Sequence, residues 1–168
     1  MTNRVLARFA DRVFVSHEAA ANHLSIDREK WVLTGNPVRR ELLEMQTDDG
    51  SKAATSSKRF NILIVGGSQG AHSINLAVVG ALAFINQKEG YYFVHQTGDA
   101  DADRIRDRYR QAGVDCLVKP FFDDMAVQYK AADFLICRAG ATTVAEMTCL
   151  GKTGLFVPFP YAADDHQT

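Results

Sequence analysis

The stretch that most constrains the fold runs from Asp133 to Glu146 and reads DFLICRAGATTVAE. Its apolar run 134–137 has the length and composition of a buried strand, and small residues separate this run from a helical pattern. A strand, a tight turn and a helix N-terminus are therefore predicted. Because the first N–H groups of a helix have no partner within it, such a junction is suited to bind an anion, and phosphate is the natural candidate.

Residues at the start of that helix indicate what else the anion could carry. Gly140 permits close approach to the backbone, and the N–H groups of Ala141, Thr142 and Thr143 are the predicted donors. Glu146 lies on the same helix face as Thr142 and Thr143. A carboxylate there can accept two hydrogen bonds from a ribose diol, so the combination favours a nucleotide. The alternative is a solvated first-turn acid that only stabilises the helix dipole.

Composition limits the class of protein. The chain has 168 residues, 46% of them hydrophobic and 23% charged, which is typical of a globular protein with room for one domain and a part of another. Its 19 Lys and Arg against 20 Asp and Glu give a net charge of -1, so nucleic acid is not an expected partner. The 3 cysteines lack metal-ligand spacing and indicate buried thiols in the cytoplasm. Any membrane attachment is expected to be peripheral, since no apolar run reaches roughly 18 residues.

Apolar and amphipathic segments alternate along the second part of the chain. Strands are predicted at 60–65, 91–95, 114–118, 134–137 and 155–157, with helices at 71–86, 101–112, 123–131 and 141–150. This order predicts an α/β fold, a Rossmann-like doubly wound parallel sheet. The expected domains are a tail of an N-terminal domain with its hinge at 1–46, a polar linker at 47–57 and a ligand-binding domain at 58–168. The chain is expected to be a fragment, because only two short strands, 13–15 and 31–33, precede the linker.

The loop after the first predicted strand of this domain, Gly66-Gly67-Ser68-Gln69-Gly70, offers backbone N–H groups and a hydroxyl to a phosphate. A glycine turn needed only for packing is the alternative. The spacing is neither the GxGxxG dinucleotide pattern nor a Walker motif, which disfavours an NAD dehydrogenase. Ser68 has no partner at the spacing of a hydrolase, and the 5 histidines share no metal-ligand spacing. Phe121 and Phe122 could flank a base, although aromatic pairs are more often core residues.

In this order, several segments together resemble the MurG family. These bacterial transferases move N-acetylglucosamine (GlcNAc) from UDP-GlcNAc onto lipid I, giving lipid II for peptidoglycan. The segments are GNPVR at 35–39, GGSQGA at 66–71, HQTG at 95–98, DDM at 123–125, CRAGATTVAE at 137–146 and VPFPYAADDHQ at 157–167. The resemblance covers essentially the whole chain and implies the C-terminal, donor-binding half of a GT-B glycosyltransferase of family 28.

The resemblance also implies roles for individual residues. The backbone of Phe122 and the side chain of Arg39 would contact the uracil. Ser68 and its turn, Gly66, Gly67, Gln69 and Gly70, would face the diphosphate, together with Ala141, Thr142 and Thr143. Glu146 would hold the ribose hydroxyls, and His166 and Gln167 would contact the GlcNAc.

The implied reaction is an inverting displacement that uses neither a metal nor a cofactor. Catalytic residues are unknown and are expected in the absent N-terminal half, which would also bind lipid I. The implied location is the cytoplasmic face of the bacterial plasma membrane, as a peripheral protein. Two alternatives stay open: a donor-binding subunit of a split glycosyltransferase, and a UDP-GlcNAc 2-epimerase, which shares the architecture.

Overall fold

The computed structural model describes residues 2–47 and 59–159, and the chain divides into two compact units, Met1–Val38 and Arg39–Thr168. The first unit contains α1 (Thr2–Phe9), β1 (Val13–Val15), α2 (Glu18–Leu24) and β2 (Trp31–Leu33). Its two strands pair in parallel, with Val13 opposite Trp31. Both strands lie where the sequence predicts them.

The second unit is built around a five-stranded sheet in the order β5-β4-β3-β6-β7, in which every pair is parallel. Its elements are α3 (Arg40–Thr47), β3 (Phe60–Val65), α4 (His72–Ala81), β4 (Tyr91–Gln96), α5 (Ala102–Ala112), β5 (Cys116–Lys119), α6 (Met125–Ala131), β6 (Phe134–Arg138), α7 (Ala141–Cys149) and β7 (Thr153–Val157). The predicted α/β fold with a parallel sheet is confirmed.

Helices cover both faces of this sheet, as the right-handed crossover rule requires. On one face α4 and α5 pack over Ile64 and Phe93, and the ring of Phe93 lies 5.5 Å from that of the fully buried Tyr109. On the other face the Cys137 thiol contacts the Met147 sulfur at 3.6 Å, which joins β6 to α7. The buried apolar residues of the strands thus alternate between two layers of helices.

Helix α3, with the sequence RELLEMQT, is not among the predicted helices, and most of it falls in the segment 1–46 expected to be the N-terminal tail with its hinge. The structure packs α3 against α6 and α7 and buries Leu42 completely. By its packing, the second unit begins at Arg39 and includes α3. Most of the predicted linker, 48–57, lies outside the described residues. Other bounds differ as well: α4 ends at Ala81 before a 3-10 turn at 82–84, and α6 begins at Met125, not at 123. Strand β5 begins at Cys116, not at 114, and β7 begins at Thr153, not at 155.

Candidate functional site

The carboxyl ends of the central strands form the edge where ligands bind in sheets of this kind. Strand β3 lies between β4 and β6, so the chain leaves the sheet in opposite directions after β3 and after β6. The turn 66–70 and the start of α7 consequently lie side by side at this switch point. The loop after β5 joins the same edge, since the N–H groups of Thr97 and Gly98 donate to Lys119 and Pro120 carbonyls at 3.1 and 3.0 Å.

Packing within the protein explains two glycines of the turn 66–70. A Cβ at Gly66 would overlap the backbone of Ala71, and one at Gly70 would overlap the Thr97 carbonyl. Gly70 also has a φ of +75°, which side chains rarely adopt. On the facing segment a Cβ at Gly98 would overlap the Gln69 carbonyl. Backbone therefore meets backbone here, and the packing interpretation accounts for Gly66 and Gly70.

The outer part of the same turn is open. Gly67 has a φ of +104°, and a Cβ there would meet nothing within 4 Å. Ser68 and Gln69 are exposed. The Gly67 carbonyl faces inward, where it accepts a hydrogen bond from Gly70 N–H at 3.0 Å. Gly67 and Ser68 are thus the part of the turn that a ligand can reach.

The start of α7 has N–H groups that make no backbone hydrogen bond within the part of the chain that the structure describes. The first helical hydrogen bond runs from Val144 N–H to the Gly140 carbonyl at 2.9 Å, so the N–H groups of Ala141, Thr142 and Thr143 precede the helical ladder. Gly140 caps the helix without a side-chain hydrogen bond and has an ordinary φ of -72°. A Cβ at Gly140 would meet only the Thr143 hydroxyl, at 3.8 Å. Among residues 2–47 and 59–159, the space at Gly140 leaves the approach to these N–H groups open.

Glu146 differs from both descriptions that the sequence suggests. The interpretation as a solvated acid is wrong, because the residue is only 2% exposed. A carboxylate lying open to a diol is not observed either, since Arg39 Nε lies 3.0 Å from Glu146 Oε1. Arg39 begins the second unit just before α3, far from Glu146 in sequence, and its side chain is 49% exposed. The guanidinium therefore covers a buried acid.

The Glu146 carboxylate retains unused hydrogen-bonding capacity. Arg39 is near enough for an ion pair, but the N–H is not aligned with Oε1, which is buried and accepts no hydrogen bond within the described residues. Tyr129 on α6 contacts the same carboxylate. Burial raises the pKa of the Tyr129 phenol, and the charge of Glu146 and its hydrogen bond raise it further, so the phenol stays a neutral donor. A buried acceptor without an aligned donor is suited to receive one from a ligand.

Phe121 is 52% exposed and Phe122 is 1% exposed, so of the two only Phe122 is a core residue. The Phe122 N–H donates to Gln96 Oε1 at 2.9 Å. The resemblance implies a contact between the backbone of Phe122 and the uracil, and in the structure the N–H of this residue is engaged by Gln96. A hydrogen bond from the backbone of Phe122 to a ligand would therefore use its carbonyl oxygen as the acceptor.

Beneath the turn 66–70 lies a buried polar network that the sequence did not reveal. Asn75 donates to the Thr97 carbonyl at 2.9 Å and to Asp101 Oδ2 at 2.8 Å, while its oxygen faces His95 Nε2 at 3.0 Å. Tyr109 OH lies 3.2 Å from the other ring nitrogen of His95. The Thr97 carbonyl is the group on which Gly70 packs, so this network supports the turn.

The protonation states of the network follow from its partners. The Asn75 oxygen only accepts, which places the proton of His95 on Nε2 and leaves Nδ1 to accept from Tyr109. Burial lowers the pKa of His95 to about 4, although the charge of Asp101 opposes the shift. Burial would raise the pKa of Asp101, but hydrogen bonds from Asn75 and His72 outweigh it, and the pKa is lowered. His95 is therefore neutral and Asp101 is charged at pH 7.

Arg138 is a second residue that sequence reasoning passed over. From the end of β6 its guanidinium donates to the Pro158 carbonyl and to Ser73 Oγ, both at 2.9 Å, and it lies 5.4 Å from the Phe159 ring. It joins the ends of β6 and β7 to the start of α4. A charged residue directly after a buried strand, at the ligand-binding edge, is the signal that could have identified it.

Several expectations concern residues beyond those described. His166 and Gln167, the predicted GlcNAc contacts, fall there. Among residues 2–47 and 59–159, no group of His, Cys, Asp or Glu side chains is arranged to hold a metal ion. In that same part of the chain, no helix is both long and apolar enough to cross a membrane.

Comparison with known proteins places this geometry in context. The family model described as "Glycosyltransferase family 28 C-terminal domain" matches residues 61–168. The chain is 45% identical, over 99% of its length, to a protein of Pelobacter propionicus named "UDP-N-acetylglucosamine--N-acetylmuramyl-(pentapeptide) pyrophosphoryl-undecaprenol N-acetylglucosamine transferase". It is 46% identical, also over 99% of its length, to a protein of the same name from Geotalea uraniireducens.

Solved structures give the same picture. The crystal structure of Acinetobacter baumannii MurG matches 99% of this chain with a TM-score of 0.66 and 32% identity. A Rickettsia africae glycosyltransferase matches 90% of it with a TM-score of 0.56, but at 15% identity this shows the fold alone. The chain spans about half the length of the relatives it matches: 48% and 45% of the two transferases, and 45% of the MurG chain.

Proposed function

Because the chain belongs to glycosyltransferase family 28, we propose that it is the donor-binding part of an inverting transferase that moves GlcNAc from UDP-GlcNAc to lipid I, forming lipid II for peptidoglycan. The observation that carries the proposal is similarity over 99% of the chain to a transferase named for this donor sugar and this acceptor. The site is compatible with the donor, since two sets of backbone N–H groups and a buried acid meet at one edge of the sheet.

The diphosphate binds at the switch point between the turn 66–70 and the start of α7. The N–H groups of Ala141, Thr142 and Thr143 and the positive end of the helix dipole stabilise negative charge, and Ser68 adds a hydroxyl from the neighbouring turn. As the bond to GlcNAc breaks, charge grows on the departing UDP. Donors fixed by the fold stabilise that charge without rearranging, and this role requires no metal.

The ribose binds to Glu146, and this requires Arg39 to move. The carboxylate is buried under the guanidinium, which lies 3.0 Å from Oε1 without an aligned hydrogen bond to it. A diol donating two hydrogen bonds replaces that contact with better-aligned ones. Arg39 is 49% exposed, so it can turn away from Glu146 toward the uracil. The base lies against the backbone of residues 121–122, where a carbonyl accepts from the N–H of the uracil ring.

The remaining parts of the reaction lie outside the described residues or outside this chain. His166 and Gln167 contact the GlcNAc. The rest of the longer protein supplies the catalytic base and binds lipid I at the cytoplasmic face of the membrane, where the protein is attached peripherally.

Titration calorimetry with UDP, UDP-GlcNAc, UDP-glucose and NADH tests the donor site. We expect UDP and UDP-GlcNAc to bind in buffer with EDTA, UDP-glucose to bind more weakly than UDP-GlcNAc, and NADH not to bind. An absolute requirement for Mg²⁺ would contradict the account in which backbone dipoles hold the diphosphate. Absence of UDP binding would reject the donor site itself.

The substitution Glu146→Gln tests the ribose contact. The carboxamide has one acceptor oxygen and no charge, so it makes at most one of the two hydrogen bonds from the diol, and UDP binding should weaken by about 2 kcal/mol. The matched control is 2′,3′-dideoxy-UDP. Wild type should bind it less tightly than UDP, and the variant should show a smaller difference between the two ligands, because the missing hydroxyls and the missing charge act on the same interaction. If the variant and the ligand change weaken binding additively, Glu146 does not hold the diol.

A further inference from the structure

Gln96 at the end of β4 connects the two loops that the proposed function assigns to the ends of the nucleotide. The side chain is buried, with the residue 2% exposed. Its Nε2 donates to the Gly67 carbonyl at 3.0 Å, and its Oε1 accepts from Phe122 N–H at 2.9 Å. Strand β4 lies between β3 and β5, so this one carboxamide reaches from the turn after β3 to the loop after β5.

The orientation of this carboxamide is determined by its partners. A backbone carbonyl can only accept and a backbone N–H can only donate, so the nitrogen must face Gly67 and the oxygen must face Phe122. Both bonds are made below the surface, where an unpaired polar group costs more than in water. Glutamine supplies one donor and one acceptor at this distance from the backbone. Glutamic acid has the same length but can donate only when it is protonated.

Each bond sets the direction of a whole peptide group. In a planar trans peptide the C=O of one residue and the N–H of the next point in opposite directions, and the described residues contain no cis peptide. The Gly67 carbonyl is held by two donors, Gln96 Nε2 and Gly70 N–H, each at 3.0 Å. The N–H of Ser68 must therefore point away from Gln96, on the open side of the turn.

The second bond has the complementary effect on the other loop. Phe122 N–H points at Gln96, so the carbonyl of Phe121 points away from it. Phe121 is 52% exposed, so this peptide borders solvent. One buried side chain thereby directs a donor outward from the turn and an acceptor outward from the loop.

We infer that Gln96 is a positioning residue for the nucleotide. It aims the Ser68 N–H at the diphosphate and the Phe121 carbonyl at the N–H of the uracil ring, and it fixes the spacing of the two loops. The inference rests on the proposed function and adds a specificity element to it. A carbonyl acceptor selects uracil over cytosine, because the corresponding ring nitrogen of cytosine carries no hydrogen and would face the carbonyl with its own lone pair.

The experiment measures binding of UDP and CDP to wild type, Gln96→Met and Thr97→Val. Methionine fills the same space but holds neither peptide in place. Thr97→Val is the matched control, because Thr97 is also buried. Its hydroxyl lies 2.9 Å from the Gly98 carbonyl and 3.4 Å from the Lys119 carbonyl, with no bond to Gly67 or Phe122. We expect wild type to prefer UDP. Gln96→Met should lose about tenfold in UDP affinity and most of the preference over CDP, whereas Thr97→Val should keep the preference.

Gln96→Glu supplies a second readout if the methionine variant does not fold. The charged carboxylate still accepts from Phe122 N–H but repels the Gly67 carbonyl, while the protonated acid can donate to that carbonyl and restores the wild-type pattern. Its UDP affinity relative to wild type should therefore recover as the pH falls from about 8 to about 5.

The outcomes separate the two proposals. Wild type that binds no UDP rejects the proposed function. Suppose that wild type prefers UDP and that Gln96→Met folds with the same UDP affinity and the same preference over CDP. This result rejects the positioning role and leaves the proposed function standing. If Thr97→Val loses the preference to the same degree as Gln96→Met, general loosening of the edge explains the effect and the specific role of Gln96 is rejected.

Discussion

The turn 66–70 and the start of α7 both present backbone N–H groups at the same switch point, but they are built differently. In the turn, Gly66 and Gly70 pack directly on neighbouring backbone, and Asn75 holds the segment below. At the start of α7, Gly140 has an ordinary φ of -72° and space around it. Its nearby support is an ion pair, Arg39 with Glu146, which covers the acid.

This difference separates folding from binding. The geometry of the turn is fixed by contacts that a ligand does not touch, so substitutions there should act on the stability of the domain. The α7 side is held by a charge pair that the proposed nucleotide would have to rearrange, so substitutions there should act on affinity. We call the turn 66–70 the rigid wall of the site and the start of α7 its adjustable wall. A site built in this way can hold a diphosphate firmly while the ribose enters.

Gly70→Ala should have the largest effect on stability. The new methyl group would overlap the Thr97 carbonyl, and the residue would keep a φ of +75° that alanine adopts only with strain. Because the obstacle is backbone and cannot turn aside, we expect the free energy of unfolding to fall by about 4 kcal/mol or more, measured by urea denaturation.

Gly113→Ala is the matched control for Gly70→Ala. Gly113 also has a positive φ, +65°, but a Cβ there would meet nothing within 4 Å. It should cost only the backbone strain, about 1 to 2 kcal/mol. Equal losses in the two variants would show that φ, and not the contact with Thr97, makes Gly70 necessary.

Lowering the pH should have the next largest effect on stability, through the buried network beneath the turn 66–70. The pKa of His95 is lowered to about 4 by burial, whereas in the unfolded chain it is close to 6.5. Between these values the unfolded state binds a proton that the folded state does not, so stability falls as the pH drops from about 6.5 to about 4. The expected loss is about 3 kcal/mol, measured as the unfolding free energy at several pH values.

His95→Gln should flatten this pH dependence, because glutamine can still donate to Asn75 but does not titrate. His17→Gln is the control, since His17 is exposed at the start of α2. If the unfolding free energy of His95→Gln still falls with pH as steeply as that of wild type, protonation of other groups causes the loss. The network beneath the turn would then not be its source.

The comparison also explains how far the sequence could be interpreted. Strand and helix alternation is a local signal, so β3, β4 and α7 are predicted within a few residues of their bounds. The sequence allows the alternative that the glycines of the turn serve only packing. The structure shows that Gly66 and Gly70 pack against neighbouring backbone and that Gly67 has open space around it. That distinction depends on where the segment at Thr97 lies, and no local pattern contains it.

Tertiary pairing explains what the sequence did not predict. Helix α3 is only 8 residues long, and its position follows from burial of Leu42 against other helices. Glu146 could be placed on a helix face from its spacing, but Arg39, its partner in the ion pair, is remote in sequence. Gln96 reads as the last residue of a strand, and its role depends on two loops that only folding brings to either side of it.

Gly140→Ala should have the smallest effect on stability and is the sharpest test of the difference between the walls. The methyl group would have only the Thr143 hydroxyl nearby, at 3.8 Å, and the φ of -72° suits alanine. The loss of a good N-cap residue and the reduced entropy of the unfolded chain oppose each other, so the unfolding free energy should change by no more than about 0.5 kcal/mol.

The same variant should bind UDP less tightly, by up to about tenfold, because the methyl group occupies space through which the diphosphate approaches the N–H groups of α7. Calorimetry on the folded variant measures this directly. A loss of stability comparable to that of Gly70→Ala would mean that both walls are held by packing, and the distinction between them would fail. Unchanged stability together with unchanged affinity would mean that the diphosphate does not approach α7 past Gly140, and the turn 66–70 would then be the principal anion site.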